Sequence, residues 1–484
     1  MAKSFLAGAG AIWLQPDGPN TQPYYLGCHT LGEIGRSRGD ANLVLIPDVE
    51  HPNKFIPLDI YSSGGPSPVE TSIQSVLRSS ADWLEVVDCP VPIYVHQVLC
   101  GRKDVFDNWD RTVILDKAMI TNDTMSSVAI MTPDDQDRSM QSFDVAAKTM
   151  HRVFPMATGK QNIVSVVGQI ALTVAFSGSR KCYGQCGNIH SACQDGYIGV
   201  TGLVGSPTNV YYTDDAGLVW YPTATNPFQS HEDVSGIVDV QIAKNSFRVI
   251  AARGVLDGLN PAEIGYSDDR GATWTNVDVG SVNGQYAIGR GNPMFAWNSS
   301  NIWLVTTGGY IYFSDDAGLT WTAQESGATT TQDLYAVHFS SDKVGYAVGA
   351  NNTILKTTDG ENWSSITAPP AETLNTVQAV FALDRNRVWI GYDNGNLYFT
   401  NDGGDSWFER SYPGSATGEI QSIKFCNDYV GYITHISTGG TVGSLFRTIN
   451  GGWTWVTQSL PPGVGPLYDV HVCNCNKIYT VGDF

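Results

Sequence analysis

One pattern recurs through the last two thirds of this 484-residue chain and limits what it can fold into. It reads Ser/Thr, an acid two residues on, Gly four on and Trp seven on. It fits Thr213/Asp215/Gly217/Trp220, Ser267/Asp269/Gly271/Trp274, Ser314/Asp316/Gly318/Trp321 and Thr400/Asp402/Gly404/Trp407. Two copies depart from it: Thr448/Asn450/Gly452/Trp455 has Asn for the acid, and Thr357/Asp359/Gly360/Trp363 is one residue short. The spacing suits a tight hairpin tip. Carboxylate and hydroxyl accept turn N–H groups, Gly supplies a positive φ, and Trp opens the next strand and packs back over the turn.

The six Trp landmarks lie 54, 47, 42, 44 and 48 residues apart, the period of a four-stranded propeller blade. The clearest unit predicts strands over 334–339, 344–348, 353–357 and 363–367, and the next two repeat the scheme. After the sixth tip come two more strand-like segments, 467–472 and 477–481. Left unpaired they would expose open sheet edges, so closure by strands from the apolar run 163–176 is expected. This predicts seven blades over 159–484, six with a tip and one shared between the ends, with six blades as the alternative. Of nine cysteines, Cys182, Cys186, Cys193, Cys473 and Cys475 fall near the predicted closure. Disulfides across it, a zinc site of atypical spacing and ordinary buried thiols are the three readings, the last the default, and Cys426 is read as a buried thiol too.

The repeat resembles the Asp-box (BNR) repeat found on hairpins of β-propellers such as sialidases and the photosystem II assembly-factor family. The copy running from Val344 through Asp359-Gly360 looks especially like the latter. A richness of 51 Gly, 22 Tyr and 13 Trp with only 15% charged residues agrees with an all-β protein of many turns.

Residues 1–158 lack the repeat. Strand-like segments dominate, including 6–15, 23–28, 42–46, 91–99, 112–120 and 127–131, with 141–154 leaning to strand. One helix is expected: Ser67-Pro68-Val69-Glu70 reads as a capping box, and Val69, Ile73, Val76, Leu77, Trp83 and Leu84 fall on one stripe. A sheet-rich domain opening Phe5-Leu-Ala-Gly-Ala-Gly-Ala-Ile-Trp-Leu, then Tyr24-Tyr-Leu-Gly and Gly32-Glu33, resembles the tail tube protein of long-tailed bacteriophages. That resemblance implies a β-sandwich assembling into stacked hexameric rings around a lumen through which DNA passes. The net charge of −19 is spread over both parts and shows no basic stripe of a nucleic-acid-gripping surface.

A sialidase would need three arginines, a Tyr/Glu pair and an Asp acid. The propeller part holds nine Arg, and Phe247-Arg248-Val249-Ile250 is the nearest approach to the family's Phe-Arg-Ile-Pro signature. No phosphate loop or His-Glu-x-x-His occurs. Tyr211, Tyr212 and Tyr310 are candidates for stacking on sugar rings. Catalytic residues, metal and cofactor are therefore expected to be none. The leading expectation is a virion structural protein, the major tail tube protein, made in the host cytoplasm, located in the tail and self-associating, with a displayed propeller touching a surface glycan or neighbouring rings. An assembly-factor-like propeller scaffold and a sialidase-like hydrolase are the alternatives.

Overall fold

In the computed structural model the chain divides into two units, Met1–Pro155 and Met156–Phe484. The structure describes residues 10–14, 24–31, 41–47, 55–62, 69–77, 91–97, 111–126 and 140–153 of the first. Of the second it describes 162–164, 170–176, 195–200, 209–214, 217–228, 236–243, 248–254, 263–279, 291–326, 329–415 and 418–483.

The first unit is all-β. Its strands are β1 (Gly10–Leu14), β2 (Tyr24–Leu31), β3 (Ala41–Pro47), β4 (Phe55–Ser62), β5 (Val69–Leu77), β6 (Val91–Gln97), β7 (Arg111–Ser126) and β8 (Met140–Val153). Six of them close into a barrel in the order β1-β2-β5-β8-β7-β6, and among the described residues β3 pairs with β4 in a separate two-stranded sheet. Because β1 is bonded to both β2 and β6, the barrel has no free edge, which is the difference from the expected sandwich. The expected helix is also corrected. Residues 69–77 form a strand bonded to β2 on one side and β8 on the other. The spacing Val69, Ile73, Leu77 fits a period of 2 as well as one of 3.6, and Val69, Thr71, Ile73 and Val76 are β-branched. The segment 127–131 lies outside the described residues.

The second unit is a propeller. Six complete four-stranded blades follow one another, each running from an inner to an outer strand in chain order. Their inner strands are Ala171–Phe176, Gly236–Ile242, Met294–Ala296, Leu334–Phe339, Val377–Ala382 and Glu419–Phe425. The expected seventh blade is corrected to a three-stranded closing sheet: Leu467–Asn474 and Lys477–Gly482 form a hairpin, and Asn162–Val164 pairs in parallel with its second strand. Of the apolar run 163–176, Ile163 and Val164 pair in the closing sheet, while Ala171–Phe176 is the inner strand of blade 1. Apolar clusters fill the spaces between consecutive sheets. Trp303 of blade 3 packs with Leu334 and Phe339 of blade 4, and Tyr346 of blade 4 with Val377 and Val388 of blade 5. Val164 and Val481 of the closing sheet pack with Val174 and Ile198 of blade 1.

A complementarity of size joins the two inner strands in three of the blades. In the six blades the last inner-strand residue faces the first residue of the second strand, and the pairs are Phe176/Gly196, Ile242/Val249, Ala296/Ile302, Phe339/Gly345, Ala382/Val388 and Phe425/Gly431. Wherever the first member is Phe, the second is Gly. A Cβ added at Gly345 would lie 2.5 Å from the Phe339 ring, so the ring occupies the space that a side chain would take.

Candidate functional site

The tips form one polar motif with local variations. In the Ser314 copy the hydroxyl accepts the Gly318 N–H at 2.8 Å and donates to Asp316, whose carboxylate accepts the Thr320 N–H and hydroxyl at 2.9 and 2.6 Å. The Ser267/Asp269/Thr273 and Thr400/Asp402/Ser406 copies repeat this. Gly217, Gly271, Gly318, Gly360, Gly404 and Gly452 all have φ between 80° and 101°. In the short copy Asp359 takes the N–H groups of Glu361 and Asn362, and Thr357 takes that of Gly360, three residues on instead of four. Asp215 lies outside the described residues, while Thr213 accepts the Gly217 N–H at 3.0 Å. The Trp rings vary more. Trp321 and Trp455 donate to the carbonyl of their own tip Gly, whereas Trp363 reaches Gln324 and Trp407 reaches the Thr367 carbonyl. Trp220 sits edge-on to Phe176, and Trp274 packs beside the apolar cluster between blades 1 and 2.

These hydrogen bonds hold the tip acids in the charged form. The Thr273 hydroxyl and N–H lower the pKa of Asp269. At Asp402 burial pushes upward, but Ser406, Thr400 and backbone donors outweigh it and bring the carboxyl down to about 2. Asn450 shows why one copy is neutral: it is fully buried, where a carboxylate would be costly, and its amide bonds Thr454 with both its oxygen and its nitrogen.

The tips couple each blade to the one before it. In blades 2 to 6 the second residue of the second strand reaches across: Trp303 donates to the Gly360 carbonyl at 3.4 Å and Tyr346 to that of Gly403 at 3.2 Å. Tyr432 donates to the Cys475 carbonyl at 2.8 Å. Ile250, Trp389 and Tyr479 lie directly against Gly318, Gly452 and Gly217. Arg248, the sequence-based sialidase candidate, belongs to the same layer. Its guanidinium is bidentate to Asp268 at 2.8 Å, lies 4.3 Å over the Tyr266 ring and donates to the Ala317 carbonyl of the next tip. It is committed to blade contact and is not aimed at a substrate. Of the sugar-stacking candidates, Tyr310 is buried in the cluster between blades 2 and 3, and Tyr211 and Tyr212 are half-buried beside apolar clusters of blade 1.

Around the axis the inner strands bring together residues that the sequence reading did not single out. Asp239, fully buried, accepts the Met294 N–H of the next blade at 2.8 Å and the Gln241 amide at 2.9 Å. Asp469 does the same between the closing sheet and blade 1, accepting the Val174 N–H at 3.2 Å and the Ser422 hydroxyl at 2.8 Å. Thr173, Asp239, Ser422 and Asp469 all follow a bulge at one position of their inner strands. An acid at that position in an otherwise apolar strand was the available signal. Lys424 donates to Asn292 at 2.8 Å, and the Asn292 carbonyl accepts the Val337 N–H at 3.0 Å, so Asn292 links blades 4 and 6. Burial pushes Asp239 up to about 7, against the Met294 and Gln241 hydrogen bonds. Burial, then the Lys424 charge, push His471 down to about 4. Farther out, Glu372 is buried and receives the amides of Asn375, Asn394 and Asn396 and the Tyr398 hydroxyl.

The cysteine reading is corrected in part. Cys475 is bonded to Cys426, read from sequence as a buried thiol, and Cys473 is disulfide-bonded as well, so neither is a thiolate available to zinc. The bridge joins blade 6 to the closing sheet. Cys182, Cys186 and Cys193 lie outside the described residues. Among the described residues no helix is long and apolar enough to cross a membrane.

Residues 260–358, about a fifth of the chain, match the family model described as photosynthesis system II assembly factor YCF48. The match runs from the tip-bearing hairpin of blade 2 to the Thr357 tip. No curated protein sequence matches. Among solved structures, YCF48 from Cyanidioschyzon merolae is 18% identical, with 65% of this chain and 92% of that one covered at a TM-score of 0.46. YCF48 bound to D1 peptide is 15% identical, covers 65% and 91%, and scores 0.48. The GH74 xyloglucanase from Xanthomonas campestris is 16% identical, covers 63% and 46%, and scores 0.45. At such identities and TM-scores these likenesses carry no argument about what this chain does.

The family match overturns the leading expectation. It falls to the assembly-factor alternative, so the virion tail tube function, the stacked hexameric self-association around a DNA lumen, the glycan-contacting display and the tail location are corrected. The segments that carried the phage resemblance are, where described, strands β1 and β2 of a closed barrel.

Proposed function

We propose that the chain is an assembly-factor-like propeller, a non-catalytic scaffold that holds a polypeptide partner while a larger complex is put together. The family match over blades 2 to 4 is the observation that carries this reading. The chemistry of the described residues supports it. Arg248, Asp239, Asp469 and Glu372, the polar groups that an enzyme would turn toward a substrate, are instead bonded within the ring. Such a ring offers a rigid, preorganised surface, which favours binding because little ordering is lost on association.

The test is a calorimetric titration of the full chain with D1 peptide, the ligand named for one of the similar structures, beside a scrambled peptide. Saturable heat with the first and none with the second is the expected result. Absence of binding overturns the photosystem form of the proposal. Steady turnover of a fluorogenic sialoside or of xyloglucan oligosaccharide by the same preparation overturns its non-catalytic part.

A further inference from the structure

The closing sheet is where the two ends of the propeller unit meet. Its third strand is only three residues long, and it is tied to blade 6 by the Cys426–Cys475 bond, with Cα atoms 5.4 Å apart. Both cysteines are half-buried. Their surroundings are unequal. The Asn427 amide donates to the Cys475 sulfur at 3.3 Å, and Arg447 donates to the Cys475 carbonyl at 3.1 Å. Among the described residues no side chain donates to the Cys426 sulfur.

We propose that this bond is a redox latch on ring closure, opened by a small thiol such as glutathione attacking Cys426. A thiol leaves more readily when its anion is stabilised, and the Asn427 amide donor does this for Cys475. The incoming thiolate forms a new S–S bond to Cys426 as the Cys426–Cys475 bond breaks, and the electron pair departs on Cys475. A second thiolate then attacks the sulfur of the added thiol and releases Cys426. The two thiols leave as their disulfide, oxidised by two electrons, and their two protons end on the two cysteines. The reduced hairpin 467–482 keeps its hydrogen bonds to Asn162–Val164 but loses its covalent tie to blade 6.

The experiment exposes the folded full chain to graded reduced/oxidised glutathione, traps free thiols by alkylation and maps the products by peptide mass spectrometry, with hydrogen exchange on the same samples. The expected result is a glutathione adduct on Cys426 with Cys475 alkylated. Exchange in 467–482 and 162–164 should rise at least about tenfold and that in 334–400 less than about twofold. A bond reduced only in denaturant, an adduct on Cys475, or a uniform rise in exchange overturns the proposal. Because Cys473 is also disulfide-bonded, the double variant Cys426→Ser/Cys475→Ser isolates the latch. It should reproduce the reduced exchange pattern without glutathione, and an oxidised-like pattern overturns the latch. If this variant does not fold, the wild-type adduct and exchange maps decide alone.

Discussion

At the scale of single residues, burial separates two kinds of acid in this ring. The tip acids are well hydrogen-bonded at the surface, and Asp402 is held at about 2. A depressed carboxyl contributes stability that is present above its ordinary pKa and lost as pH falls through the folded value, here between about 4 and 2. Asp239 has the opposite sign. Raised to about 7, it contributes most below its ordinary range, and that contribution fades as pH climbs from about 4 to 7. Asp239→Asn keeps an oxygen for the Met294 N–H and removes the buried charge. Thermal melts should show it more stable than the parent at pH 8, with the difference shrinking toward pH 4, and an equal or lower Tm at pH 8 contradicts the account. The buried tip gives a matched pair. Asn450→Asp should cost about 1–3 kcal/mol at pH 7, as an unneutralised carboxylate in a buried site, and Asp402→Asn less than about 1 kcal/mol at its exposed one. Urea titration of both variants reads the order, and its reversal would show that exposure does not decide which residue a tip carries.

At the scale of elements, the propeller strands were legible where a recurring tip marks the repeat. The sequence reading placed strands over 353–357 and 419–425, and the structure has Thr353–Thr357 and Glu419–Phe425. The segment 69–77 had no such anchor. Its capping box and apolar spacing suggested a helix, and only its pairing with β2 and β8 in a closed barrel reveals the strand. The axial acids were missed for a related reason, since Asp239 and Asp469 interact with strands 55 and 295 residues away. Packing between inner strands makes its own prediction. Gly345→Ala puts a methyl into the Phe339 ring and should destabilise by about 1–3 kcal/mol. Adding Phe339→Leu should recover part of that loss, a coupling that a double-mutant cycle measures, and strictly additive losses would contradict the size pairing.

At the scale of the propeller unit, the ring is one cooperative object only if its two ends hold each other. Trp-anchored tips around an axis could be read from the sequence, and so could the need for closure. The depth of closure could not, because three residues at Asn162–Val164 carry no pattern of their own. Tyr479 is where the ends meet: it pairs with Asn162, stacks 4.0 Å from Phe176 and lies against Gly217 of the first tip. The measurement that tests this most directly is hydrogen exchange on Tyr479→Ala. The account predicts lost protection in 477–482 together with 162–164, 171–176 and the turn at Gly217, while 353–357 is unchanged. Loss confined to the hairpin 467–482 would mean that the ends are not joined, and the closed platform would be contradicted.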